Sequence, residues 1–137
     1  MPGIVDGRAS AAEQLVSELR QVVVNDVSLG ARLAMFSQMP PIEELVGALD
    51  GSTLLTDIDV LFSPQLDLDV LGYLRQLARA LPVLAVWPGK VTGPRLTYSL
   101  PGRADYVDVL ARDLVVLHPL AKEFPDEIPY QLERFPP

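Results

Sequence analysis

Apolar residues along the chain recur at two spacings, one helical and one of short unbroken runs, and these alternate. After the apolar pair Ile4 and Val5, the segment Ala11 to Gln21 sets Leu15, Leu19 and then Val22 at helical intervals, with Glu13, Gln14, Ser17, Glu18 and Arg20 on other faces. The β-branched run Val22 to Val24 is too short for a helix and reads as a buried strand, ended by Asn25 and Asp26. Ser28 is placed to cap a helix through Gln38 that turns Leu29, Leu33 and Phe36 inward. Pro40 and Pro41 stop it, and Pro41 starts a further helix to about Leu49.

Thr53 to Leu61 is apolar and β-branched, carries Asp57 and Asp59 near its end, and is followed by Pro64. It reads as a central strand with an acidic carboxyl end. Between Asp67 and Ala80, Leu68, Val70, Leu71, Leu74 and Leu77 make a broad helical stripe, with Arg75 and Arg79 near the end where the helix dipole favours cations. Val83 to Trp87 is another buried strand, and shorter ones are predicted at Arg95 to Ser99 and Leu114 to Leu117. Apolar strands separated by helices imply parallel pairing with helices on both faces, a doubly wound, mainly parallel α/β sheet over residues 1–118. Residues 119–137 hold five prolines and four acids with no period. This acidic tail either lies over its own domain or serves as a docking strap for a partner.

Charge and composition narrow the function classes. The 137 residues carry 18 acidic and 11 basic side chains, a net charge of −7, so the surface as a whole repels nucleic acid and anionic lipid. Cysteine is absent, which removes disulfides, thiolate metal sites and a thiol nucleophile. The start lacks the pattern of a signal peptide and no apolar run is long enough to span a bilayer, so a soluble, cytoplasmic protein is expected.

In open α/β sheets ligands sit beyond the carboxyl ends of the strands, which directs attention to the turn after the first strand and to the acids after Thr56. A working phosphate loop has the pattern G-x-x-x-x-G-K-[ST]: backbone amides wrap the phosphates, lysine neutralises them and the hydroxyl holds magnesium. Here that register reads Gly7, Arg8, Ala9, Ser10, Ala11, Ala12, Glu13, Gln14. Only the first glycine is kept. Glu13 about 4 Å from a phosphate would cost on the order of 1 to 4 kcal/mol where lysine would contribute a similar gain, and Ala12 would be strained if its position needs positive φ. An ordinary strand-to-helix turn with Ser10 as helix cap explains the same residues without a ligand.

Asp57 and Asp59 follow an apolar strand as the Walker B acids of NTPases do, and are the catalytic candidates. Two registers compete for magnesium: Asp57 itself, or Thr56 with Asp57 then in the catalytic place. The plainer alternative is that Asp59 solvates or caps the next turn. Asp57 at the end of a central strand also fits a phospho-acceptor receiver, but that chemistry needs an acidic pair after the first strand, where Asp6 stands alone. His118 is the one histidine and is expected to be structural. Trp87 is expected as a core or rim anchor.

The segments Val24 to Leu33, Leu54 to Pro64, Leu74 to Arg79, Val86 to Gly89, Arg95 to Tyr98 and Pro101 to Tyr106 together resemble BrxF, the small P-loop protein family of type 3 BREX phage-defence systems. The resemblance spans Gly7 to about Leu117. It implies a RecA- or AAA-like nucleotide-binding core that works in a bacterial operon with larger proteins of the same system. The chain departs from it at the phosphate loop. The expectation is therefore an accessory subunit with a degenerate Walker A loop, little or no ATPase activity and no cofactor. The alternative is a weak or partner-completed ATPase that binds ATP and Mg2+ through Asp57 and Asp59, with Arg8 the nearest cation.

Overall fold

The computed structural model describes residues 1–137. Nine strands, four α-helices and one 3-10 helix follow in the order β1 (Gly3–Asp6), α1 (Ala12–Val22), β2 (Asn25–Ser28), α2 (Leu29–Leu33), α3 (Ile42–Val46), β3 (Thr53–Thr56), the 3-10 helix (Ile58–Phe62), α4 (Val70–Ala78), β4 (Val83–Trp87), β5 (Lys90–Thr92), β6 (Arg95–Tyr98), β7 (Val107–Leu110), β8 (Leu114–Pro119) and β9 (Tyr130–Phe135). Six strands form one sheet in the order β2-β3-β4-β1-β8-β9, and β5-β6-β7 form a separate three-stranded sheet. The pairs β2/β3, β3/β4, β4/β1 and β1/β8 are parallel, and β9 alone runs antiparallel, against β8. The chain is thus an α/β domain built on a mostly parallel mixed sheet. No helix is long and apolar enough to cross a membrane.

Alternation along the strands sends neighbouring residues to opposite faces. In β1, Val5 packs with Leu15, Leu19, Val86 and Leu117 under α1, while Ile4 joins Leu29, Leu45, Leu55, Leu74 and Ala85 beneath α2, α3 and α4. The three-stranded sheet covers this second face too, through Leu96. The step from β1 out to β2 therefore uses one face, and the returns from β2 through β3 and β4 to β8 use the other. Reversing direction and face together keeps every crossover of one hand, as parallel connections require.

Several boundaries differ from those the sequence predicts. Val22 ends α1 rather than starting a strand, and β2 is the more polar stretch that follows. Asn25 and Asp26 are tolerated in a strand because β2 is an edge. There the Asn25 amide donates to the Asp50 carbonyl at 2.7 Å and to Thr53 Oγ1 at 3.2 Å, while Asp26 meets Arg20 at 3.2 Å. Ser28 does cap α2, accepting from Ala31 N at 3.1 Å, but that helix ends at Leu33 instead of Gln38. The predicted strand Thr53 to Leu61 stops at Thr56, since Asp57 is left-handed at φ 54° and turns the chain into the 3-10 helix. That helix buries Ile58, Leu61 and Phe62, whose spacing is helical.

Arg95 to Tyr98 is a strand as expected, but it belongs to the small sheet, whose flanking strands β5 and β7 the pattern did not indicate. The tail does lie on its own domain: Leu132 pairs with Leu117, and Tyr130 to Phe135 extend the main sheet by one strand. Lys122 Nζ also reaches Glu18 Oε1 at 2.7 Å, fastening the loop before β9 to α1.

Candidate functional site

The connections after β1 and β4 leave on opposite faces, which opens a crevice beyond the carboxyl ends of these neighbouring strands. A cleft of about 470 Å³ lies there, lined by Gly7, Glu13, Arg20, Thr56, Asp57 and Asp59 together with Ala12, Val16 and the end of β4. The structure thus brings the strand-to-helix turn and the strand-end acids to one place. Arg8, Ala9, Ser10, Ala11 and Gln14, which share the phosphate-loop register, do not line it.

The turn itself is built by packing against β4. A Cβ on Gly7 would come within 2.6 Å of the Trp87 carbonyl oxygen, so glycine here serves close strand approach, and Gly7 N donates to that oxygen at 3.3 Å. Arg8 N donates to Asp6 Oδ1 at 3.2 Å and Ala12 N to the Ala9 carbonyl at 3.0 Å. Three amides of the register are therefore satisfied within the protein. Ala12 begins α1 without a positive φ, so the strain anticipated there is absent. Ser10 is not the helix cap: the capping position is Ala11, and no side chain caps α1.

The two acids face different neighbours. Asp57 follows β3 and accepts the Ser28 hydroxyl through Oδ2, and Gly30 makes room for it, since a Cβ there would lie 3.1 Å from the same oxygen. Asp59, in the 3-10 helix, lies against the Tyr98 hydroxyl. Burial first, then Asp59 and Asp105, push the Tyr98 phenol above its ordinary pKa, and Arg8 pulls it back down. Thr56 stays on β3 and lines the same cleft. The one cation in the lining, Arg20, is already engaged by Asp26.

Trp87 forms the wall behind the cleft. It is fully buried, donates Nε1 to the Thr97 carbonyl at 3.0 Å, and packs at a tilt against Phe62 with centroids 5.3 Å apart, as Phe62 does in turn against Tyr98 at 4.9 Å. This series ties the main sheet to the small one. His118 contacts Glu133 at 3.0 Å across β8 and β9, away from the cleft lining. Tyr98 and Arg20 were missed as site residues: Tyr98 is 39 positions from Asp59, and only the antiparallel insertion between β4 and β8 brings them together.

No known protein family, curated protein or solved structure matches the chain.

Proposed function

We propose that the chain is a non-hydrolysing, P-loop-type accessory subunit of a bacterial BREX phage-defence system, acting through association with the larger proteins of that system. Two things support this: the resemblance described above, and a β1-turn-α1 unit facing strand-end acids across a switch-point cleft. The observation that carries the loss of hydrolysis is Glu13, which lines the cleft where a phosphate loop needs lysine. It adds to Asp57 and Asp59, so the lining holds three carboxylates against the already paired Arg20.

The residues do not fit a magnesium nucleotide. Magnesium held by one or two carboxylates relies on substrate phosphates for its remaining contacts. Here Asp57 is engaged by Ser28, and Asp59 lies beside the Tyr98 hydroxyl. The phosphates would meet Glu13 with three loop amides already donated elsewhere. The partner-completed ATPase is the weaker reading, because Arg8, its nearest cation, bonds the Pro88 carbonyl through Nε at 3.3 Å and lies outside the cleft.

Calorimetry with ATP and magnesium tests the reading: a dissociation constant above about 1 mM is expected, near −4 kcal/mol of binding free energy. A micromolar constant overturns it. In cells carrying the whole operon, deleting the chain is expected to abolish phage restriction, whereas Asp57→Asn with Asp59→Asn preserves it. Loss of restriction in the double variant, with the protein folded and present, would favour the ATPase.

A further inference from the structure

Beside the acidic cleft, on the far side of the Gly7–Pro88 edge, lies a second recess of about 360 Å³ with the opposite chemistry. Arg8, from the turn after β1, and Lys90, at the start of β5, both line it, and the other lining residues include no carboxylate. Neither cation belongs to an ion pair, a condition they share with six other cations of the chain, but these two line one recess. In a chain of net charge −7, two unpaired cations from separate elements converge on one concavity.

Arg8 is pre-positioned there. Its Nε donates to the Pro88 carbonyl at 3.3 Å, which orients the exposed guanidinium and leaves its terminal nitrogens for an oxyanion. The nearest acids lie behind the lining and are each met by one of its hydroxyls: Asp105 accepts from Ser99 at 2.7 Å, Asp108 from Tyr106 at 3.3 Å while also pairing with Arg95, and Asp59 faces Tyr98. Buried Gly89 and the Lys90–Thr97 pairing hold the base of the recess, while Leu100 and Pro101 add an apolar lip. The volume exceeds that of a bare phosphate ion, so the lip has room for an organic substituent.

We propose that this recess binds a small phosphate monoester, with Arg8 and Lys90 on the phosphate and Leu100 and Pro101 against the organic body. The proposal goes beyond the reading of the acidic cleft and holds whether or not that cleft takes a nucleotide.

The test is an NMR titration of the full chain with phenyl phosphate, and in a second arm inorganic phosphate, at ionic strength fixed with chloride. Saturable shifts are expected at Arg8, Gly89, Lys90 and Tyr98, with a dissociation constant near 1 mM and phenyl phosphate at least about threefold tighter than phosphate. Arg8→Gln and Lys90→Gln are each expected to weaken binding about fivefold, and Arg112→Gln, an exposed cation elsewhere, to leave it unchanged. Linear shifts up to about 20 mM, or equal weakening by Arg112→Gln, would reduce the effect to charge screening and overturn the proposal. Shifts at Ala12 and Glu13 instead would overturn both this proposal and the inactive-loop reading.

Discussion

The acidic cleft and the basic recess share an edge, yet they differ in how their charges are held. In the cleft, Asp57 and Asp59 are tied to Ser28 and Tyr98, and the only cation is tied to Asp26. In the recess both cations lack acidic partners, and one is oriented by a backbone carbonyl. A position that resembles a catalytic centre in sequence is thus electrostatically committed to the protein itself, and the neighbouring one is left open to a ligand. Proximity to a strand end marks where ligands bind in α/β sheets. The sign and freedom of the charges decide which ligand.

The largest expected effect comes from removing the wall behind the acidic cleft. Trp87→Ala deletes a fully buried ring, its packing against Phe62 and its bond to Thr97, and is expected to cost about 3 to 5 kcal/mol in urea unfolding. Trp87→Phe, which keeps an aromatic ring but loses the five-membered part of the indole and its bond to Thr97, is expected to cost about 1 to 3 kcal/mol. A loss below 1 kcal/mol in Trp87→Ala would show that the small sheet docks without it.

Next in size is an exchange of character in the cleft. Ala12→Gly with Glu13→Lys and Gln14→Thr supplies the glycine, cation and hydroxyl missing from the loop, on a turn and helix already in place. At least a tenfold gain in ATP–magnesium affinity is expected, about 1.4 kcal/mol, read as a nucleotide-dependent rise in Tm. The gain is held down by the amides of Gly7, Arg8 and Ala12, which are already donated. An unchanged Tm at millimolar ATP, in a variant with a native circular dichroism spectrum, would show that the β1-turn-α1 unit does not have phosphate-loop register.

The position of Asp57 predicts a smaller, paired result. Asp57→Ala loses the Ser28 bond and puts alanine at φ 54°, so about 1 to 2 kcal/mol of stability should go. Asp57→Asn keeps an acceptor and tolerates the left-handed backbone, so it should stay within about 0.5 kcal/mol of wild type. Equal losses would mean that the negative charge itself is structural.

The smallest effect lies in the Tyr98 phenol. Its pKa is raised in the fold by burial and by Asp59, so the neutral form is the one stabilised. That contribution is complete below the unfolded tyrosine value, near pH 10, and is lost as pH rises through the higher folded value. Absorbance at 295 nm should show Tyr98→Phe removing a late-titrating component, and Asp59→Asn moving that component to lower pH.

Much of the scaffold was legible because its strands are apolar on both sides: Ile4 and Val5, Leu54 and Leu55, and Val83 to Trp87 appear as runs without any knowledge of neighbours. The helical stripe after Asp67 was equally plain, although the helix begins only at Val70, capped by Asp69 accepting from Gly72 N at 3.2 Å. The edges were not legible. β2 and β9 expose polar residues, and the tail's prolines hide a strand held by pairing with β8 and by Tyr130 and Phe135 at its two ends. Ile58, Val60 and the flanking acids alternate like a strand, and only the left-handed Asp57 redirects them. At the candidate site, the co-location of Gly7, Glu13, Thr56, Asp57 and Asp59 followed from strand-end logic. The roles of Tyr98 and Lys90 did not, because both come from an inserted sheet with its own register.

The placement of β1 sets an order on how the domain can be completed. Gly3 pairs with Leu84 on one side and with Val115 on the other, so β1 is a central strand that is synthesised well before both of its neighbours. Until β4 emerges, β1 has no strand to pair with, and Val5 is sheltered by α1 and Ile4 by α2 and α3, whereas the small sheet closes between neighbouring antiparallel strands as soon as it is synthesised. Such long-range closure slows folding relative to a helical bundle of the same length. The nascent chain consequently passes through a stage in which its central strand is unpaired along both edges, the stage at which a chaperone or an assembly partner has most to gain by binding.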